Sequence, residues 1–273
     1  MSKTKLALVA LAAAAGLALT ACGGGGGGGG ASDTINIGIK FDQPGLGFKD
    51  GDKYTGFDVD VATYVANELG FPADKINWKE APSANRESLL ETNAVDMIFA
   101  TYSITDARKE RVKFAGPYFI AGQDLLVRAD DTSITGKESL AGKKLCSVTG
   151  STSAQKVKDD IPDVNLVEQG GYADCLGLLE NSKIDAITTD DIILAGLAAT
   201  PANKGKFKVV GKPFSEEKYG VGLNKDSTQC PAINTAIEKM IKDGDWEKAI
   251  KANTEGTGYT PSKLNPPTPE PCS

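Results

Sequence analysis

Residues 99–110 read FATYSITDARKE, an apolar strand end that passes through polar residues into a helix. Thr105 is the expected N-cap, because a threonine oxygen there accepts from a free amide of the first turn. Arg108 falls in that turn, where the positive end of a helix favours anions over cations. The placement makes sense with an anion held between helix end and guanidinium, whose planar fork matches a carboxylate with two parallel bonds.

The same strand-to-helix step recurs on both sides. TINIGIK (34–40) alternates Ile35, Ile37 and Ile39 with other residues, the period of a strand. GFDVDVATYVANELG (56–70) repeats Phe57, Val61, Tyr64, Val65 and Leu69 at helical spacing, with Asp58 and Asp60 at its start and Gly70 at its end. Further strands are predicted at 75–78, 95–100, 123–129, 144–148, 165–169, 185–189, 207–211 and 220–224. Helices are predicted near 86–92, 105–111, 151–160, 172–181, 191–199, 231–243 and 245–252. Such alternation implies parallel sheets covered by helices. The strands are too many for one small sheet, so two α/β lobes are the natural solution. VTGSTSAQK (148–156) is a second junction of this kind, where Gly150 frees the backbone and Ser151 and Thr152 offer hydroxyls and amides at a helix start, an anion-binding geometry.

Composition narrows the chemistry. The 273 residues carry a formal net charge of −6 and no histidine. The acidic balance argues against nucleic acid as a partner. Absence of histidine removes the commonest general base and most zinc sites, and with no paired carboxylates at a shared motif nothing suggests an enzyme, a metal or a cofactor.

At the N-terminus, Lys3 and Lys5 precede an apolar and small-residue stretch from Leu6 to Leu19, too short to span a bilayer comfortably, which reads as a secretory signal over 1–21. Leu19-Thr20-Ala21-Cys22 resembles a lipobox, so Cys22 is the expected acylated residue. The eight glycines that follow it behave as a flexible tether reaching on the order of 15 Å. Acyl chains would hold the protein to the outer face of the cell membrane. Cys146, Cys175, Cys230 and Cys272 remain, an even count that suggests disulfides in an exported chain. Three connectivities are open, and the shortest loops favour Cys146–Cys175 and Cys230–Cys272, the latter pinning a Pro-rich tail over 261–273.

Four stretches, GFDVDVATYVANELG, ATYSITDARKERVKFAGPYF (100–119), VTGSTSAQ and DAITTD (185–190), occur in the order and spacing of type II extracytoplasmic solute-binding proteins of the polar amino acid family. The chain resembles that family over roughly 33–255 and is most similar to actinobacterial glutamate-binding lipoproteins of ABC importers. The resemblance implies a two-lobed type II periplasmic-binding-protein fold, with a discontinuous first lobe (33–118 plus 219–260), a second lobe (122–215) and the ligand between them. It implies that Arg108 grips the ligand α-carboxylate with Ser103 and Thr101, that Thr152, supported by Ser151, meets the same group from the second lobe, and that Asp190 receives the α-ammonium while Asp191 caps the next helix. It further implies that Arg86, beside Ser83, contacts a side-chain carboxylate, with Lys40 as a second candidate cation. Phe41 and Phe48 are alternatives for an aromatic stacked on the ligand, whereas Trp78 and Trp246 read as core residues. The implied function is an extracytoplasmic, monomeric subunit that captures glutamate, or aspartate, and passes it to a permease and its ATPase. Glutamine or asparagine capture and a surface sensor or adhesin are the alternatives.

Overall fold

The computed structural model describes residues 33–161 and 163–272; the signal stretch, Cys22 and the glycine run lie outside them. The chain forms β1 (Ile35–Ile39), a short hairpin of β2 (Phe48–Asp50) and β3 (Lys53–Thr55), α1 (Phe57–Glu68), β4 (Ile76–Glu80), α2 (Arg86–Glu91), β5 (Met97–Phe99), α3 (Asp106–Lys109) and β6 (Lys113–Ala121). There follow β7 (Gln123–Arg128), β8 (Lys144–Val148), α4 (Thr152–Asp160), β9 (Asn165–Gln169), α5 (Tyr172–Glu180), β10 (Ala186–Asp190), α6 (Asp191–Ala199) and β11 (Phe207–Val209). The last elements are β12 (Glu217–Leu223), α7 (Cys230–Lys242) and α8 (Asp245–Thr254).

Two five-stranded sheets result, in the orders β4-β1-β5-β12-β6 and β11-β7-β10-β8-β9. The expectation of parallel sheets holds for only part of each. Strands β4, β1 and β5 are parallel, as are β9, β8 and β10, but β12 is antiparallel to both its neighbours and so is β7. The reason is the crossing. β7 follows β6 through Gly122 alone and β12 returns through residues 210–216, so both strands arrive from the other sheet rather than over a helix. The first sheet also reaches further than the expected lobe limits, since β6 runs to Ala121 and β12 begins at Glu217.

Strand β6 and the β2–β3 hairpin are absent from the sequence reading. In β6 the Gly116-Pro117 pair resembles a turn, and proline cannot donate to a ladder. The structure accommodates it with a register shift in β12 between Tyr219 and Val221, opposite that pair.

The core explains the apolar spacing. Ile35, Ile37 and Ile39 of β1, Phe57, Val61 and Val65 of α1, and Ile233 and Ile237 of α7 are buried together, each worth roughly 1.5–3 kcal/mol of transfer free energy. Tyr64 and Leu69 pack at its margin. Trp246 is buried edge-on against Phe57 at 5.5 Å and donates Nε1–H to Tyr118 O at 2.8 Å, while half-buried Trp78 packs on Tyr54.

Both shortest-loop disulfides are present, Cys146–Cys175 joining β8 to α5 and Cys230–Cys272 joining α7 to the tail. The tail is held by more than its cysteine. Asn265 exchanges hydrogen bonds with the backbone of Ile120 at 2.7 and 2.9 Å, and Glu270 N donates to Gly116 O at 2.7 Å. These contacts cover the outer side of β6, an edge strand that would otherwise offer unpaired backbone groups.

Candidate functional site

The polar residues singled out for ligand contact lie at or beyond the carboxyl ends of strands, where open α/β sheets place ligands. Lys40 follows β1, Ser83 and Arg86 follow β4, Thr101 and Ser103 follow β5, Ser151 and Thr152 follow β8, and Asp190 ends β10. Ser83, Arg86, Thr101, Ser151, Thr152 and Asp190 line one cavity between the two sheets, together with Gln43, Ser153, Tyr172, Thr189 and Ile193. The space between these side chains is narrow, and Ile193 is the one apolar side chain in its lining besides the Tyr172 ring.

Arg86 is 2% exposed. Its Nη1 donates to Ala100 O at 2.9 Å and Thr101 O at 3.3 Å, its guanidinium lies 4.2 Å from the Tyr102 ring centre, and its Nε has no partner. Among the described residues no carboxylate lies within ion-pair distance of it. Burial, with the Arg108 charge second, pulls its pKa down to about 10. A buried cation without a counter-charge bears a desolvation cost that an anion beside it would offset.

Across the cavity, Asp190 accepts from Tyr219 OH at 2.6 Å through Oδ2, whereas Oδ1 is buried and unpartnered. Burial, reinforced by Glu217, holds its carboxyl well above the usual carboxylate range. A cationic partner would reverse that. The helix cap differs from expectation. Asp190 itself occupies the N-cap position of α6 without a side-chain cap bond, because its carboxylate faces Tyr219. Asp191 accepts from Gly122 N at 3.3 Å, Ile192 N at 2.8 Å and Tyr259 OH at 3.2 Å.

Arg108 and Ser103 flank this cavity. Thr105 caps α3 through Arg108 N as its sequence suggests. The Arg108 fork joins the two sides of the cleft, donating to Ser103 O at 2.8 Å and Gly150 O at 3.0 Å, with Nε 3.2 Å from Glu87. Ser103 Oγ lies 3.4 Å from Thr152 Oγ1, which also bonds Glu217 at 3.1 Å. Glu217 in turn holds Ser215 and Lys156. On the other flank, buried Lys40 approaches Ser83 Oγ at 3.5 Å and Asp42 at 3.8 Å, and burial lowers its pKa. Phe41 packs on Tyr54 at 5.4 Å and Phe48 pairs within the hairpin, so neither lines the cavity.

Several contributors had no sequence signal. Asp58, expected merely to favour the α1 terminus, is fully buried and accepts from Thr101 N at 3.0 Å and Tyr118 OH at 2.8 Å. Burial raises its pKa to about 6. Its bond holds Thr101 at a φ of +46°, a strained conformation for a β-branched residue. Gln43 accepts from Thr101 Oγ1 at 3.2 Å, and Tyr172 is buried at the start of α5, which the Cys146–Cys175 bridge anchors. The Gly170-Gly171 pair before Tyr172 was the one available hint.

The model of bacterial extracellular solute-binding proteins, family 3, matches residues 35–254. The chain belongs to that family. Among its relatives, glutamate-binding protein GluB of Corynebacterium efficiens is 47% identical over 231 residues, 80% of this chain and 78% of that protein. ABC transporter glutamine-binding protein GlnH of Bacillus subtilis is 35% identical over 81% of each. A solved ancestral arginine-binding protein bound to glutamine is 33% identical with a TM-score of 0.74, covering 81% of this chain and 97% of that one. As a family 3 solute-binding protein the chain acts outside the cytoplasm, and its two-lobed fold sets the cavity between the two sheets.

Proposed function

We propose that this chain is the lipid-anchored binding subunit of an ABC amino acid importer, a monomer that closes on glutamate and delivers it to a permease and its ATPase. The observation that carries the reading is one cavity holding a buried guanidinium with no carboxylate partner and a buried carboxylate with one unmatched oxygen. Asp190 Oδ1 receives the α-ammonium, and Arg86 with Ser83 receives the side-chain carboxylate. Arg108 exchanges its bond to Gly150 O for the α-carboxylate, to which Thr101, Ser103, Ser151 and Thr152 add hydrogen bonds, while Lys40 stands by as a second cation. The body built on β1, β4, β5, β6 and β12 and the body built on β7 to β11 move as the two lobes, and acylated Cys22 keeps the receptor at the membrane. The 47% identity to a glutamate-binding protein supports this ligand.

Glutamine is the second reading, supported by the glutamine-binding relative. An amide in the side-chain position would leave Arg86 uncompensated, which favours glutamate, or the shorter aspartate. A thermal-shift panel of free amino acids on protein stripped of carried-over ligand tests this. Glutamate at about 100 times its dissociation constant stabilises by roughly 2.7 kcal/mol. A larger shift with glutamine would replace the ligand, and no shift with any amino acid would remove the function.

A further inference from the structure

Asp42, Gln43 and Pro44 stand in a tight turn between β1 and β2, where Gln43 N donates to Gly47 O and Leu46 N to Gln43 O, both at 3.0 Å. The three face different parts of the molecule. Gln43 lines the cavity, and Pro44 O lies so close to α6 that Gly196 has no room for a Cβ. Asp42 reaches α5, where its Oδ2 accepts from Tyr172 N at 3.2 Å.

That bond supplies what α5 lacks. Gly171 is the N-cap residue and has no side chain to cap with, so the free amide of Tyr172 is satisfied by a carboxylate that belongs to the other sheet's body. A Cβ on Gly171 would stand 2.7 Å from Asp42 Oδ2, although its φ of −145° is extended backbone that any residue adopts. The approach of Asp42, not the backbone, excludes a side chain there. Tyr172 is buried and lines the cavity with Arg86 and Asp190, while Cys175 ties the same helix to β8 through Cys146. Asp42 itself lies outside that cavity, in a flanking recess with Lys40, Glu80 and Asp174, its Oδ1 3.8 Å from Lys40 Nζ. We propose, on the reading that the cavity holds an amino acid, that Asp42 is a positioning residue for its capture: on closure it caps α5 across the cleft and holds Tyr172 at the ligand.

Calorimetric titration and stopped-flow dissociation of glutamate and glutamine on the full chain test it. Asp42→Ala removes a helix cap and should weaken both amino acids by about fivefold, the loss lying in the dissociation rate because Asp42 stands outside the cavity. Asp42→Asn keeps an acceptor but not the charge beside Lys40, and should stay within about twofold of the wild type. Gly171→Ala, whose Cβ displaces the carboxylate, should lose the same factor as Asp42→Ala, and the double variant should lose no more than either alone. Losses that multiply in the double variant, an Asn variant as weak as the Ala variant, a loss confined to glutamate, or unchanged dissociation from both Asp42→Ala and Gly171→Ala would each overturn the role. If the wild type binds neither amino acid, the function proposed above fails, and hydrogen exchange at the Tyr172 amide still decides the cap: exchange in the wild type no slower than in Asp42→Ala overturns it.

Discussion

Arg86→Gln separates side-chain recognition from capture of amino acids in general. In the wild type the guanidinium is buried without a carboxylate, and the fall of its pKa from 12.5 to about 10, from burial first and the Arg108 charge second, corresponds to a penalty on the order of 3 kcal/mol for the charged form. Arginine stays charged at pH 7 in both folded and unfolded chains, so the ligand-free protein carries that penalty and the neutral glutamine relieves it. The free variant should therefore be at least as stable as the wild type. With glutamate the sign reverses, because breaking a buried ion pair by removing one partner costs about 3–5 kcal/mol. That is a loss of affinity of roughly two to three decades or more. Glutamine, which brings no side-chain charge, should lose less than about tenfold. At a glutamate concentration giving the wild type a Tm rise of roughly 5–10 °C, the variant should rise by about 1 °C. Calorimetric titration of both amino acids, with Lys40→Gln run alongside to detect a second cation, decides the matter. Equal losses for glutamate and glutamine, or glutamate affinity within about threefold of wild type, would refute the assignment.

Gly196 lies in α6 at helical φ, yet a Cβ there would stand 2.2 Å from Pro44 O of the opposite lobe; Gly196→Ala should leave stability unchanged or raised by about 0.5–1 kcal/mol while lowering affinity for every amino acid at least tenfold, and undiminished binding would mean the lobes close elsewhere. Asp58, whose pKa is raised from 3.8 to about 6 by burial, binds its proton more tightly in the folded chain. Stability should thus fall by about 2 kcal/mol between pH 4 and pH 6, a slope that denaturant titrations should find missing in Asp58→Asn. Cys22→Ser should release the protein into the medium, and persistence in salt-washed membranes would contradict the anchor. Cys272→Ser should lower stability by about 4 kcal/mol in the loop-entropy view and expose the amides of β6 to hydrogen exchange; an unchanged exchange pattern would show that Asn265 and Glu270 hold the tail alone.

Local pattern was enough for most elements. The two-residue period of Ile35, Ile37 and Ile39 and the helical spacing of Phe57, Val61 and Val65 are properties of adjacent residues, and both elements lie where that spacing puts them. The same holds for the cap at Thr105 and for disulfides drawn by the shortest loops. Strand direction was not local. β7 and β12 run against their neighbours because the chain crosses between sheets, and β6 is a strand despite Gly116-Pro117 because β12 shifts register opposite it. The division of labour between the arginines was equally invisible in sequence. Arg108 and Arg86 both sit near the start of a helix, but Glu87, Ser103 O and Gly150 O occupy one while no carboxylate approaches the other. Asp58 reads as an ordinary first-turn acid until Thr101 and Tyr118, some forty and sixty residues away, enclose it. Backbone propensity acts over one turn or one pleat, whereas burial and charge pairing depend on residues that only folding brings within a few ångströms, and those decide which polar groups are left unmatched for a ligand.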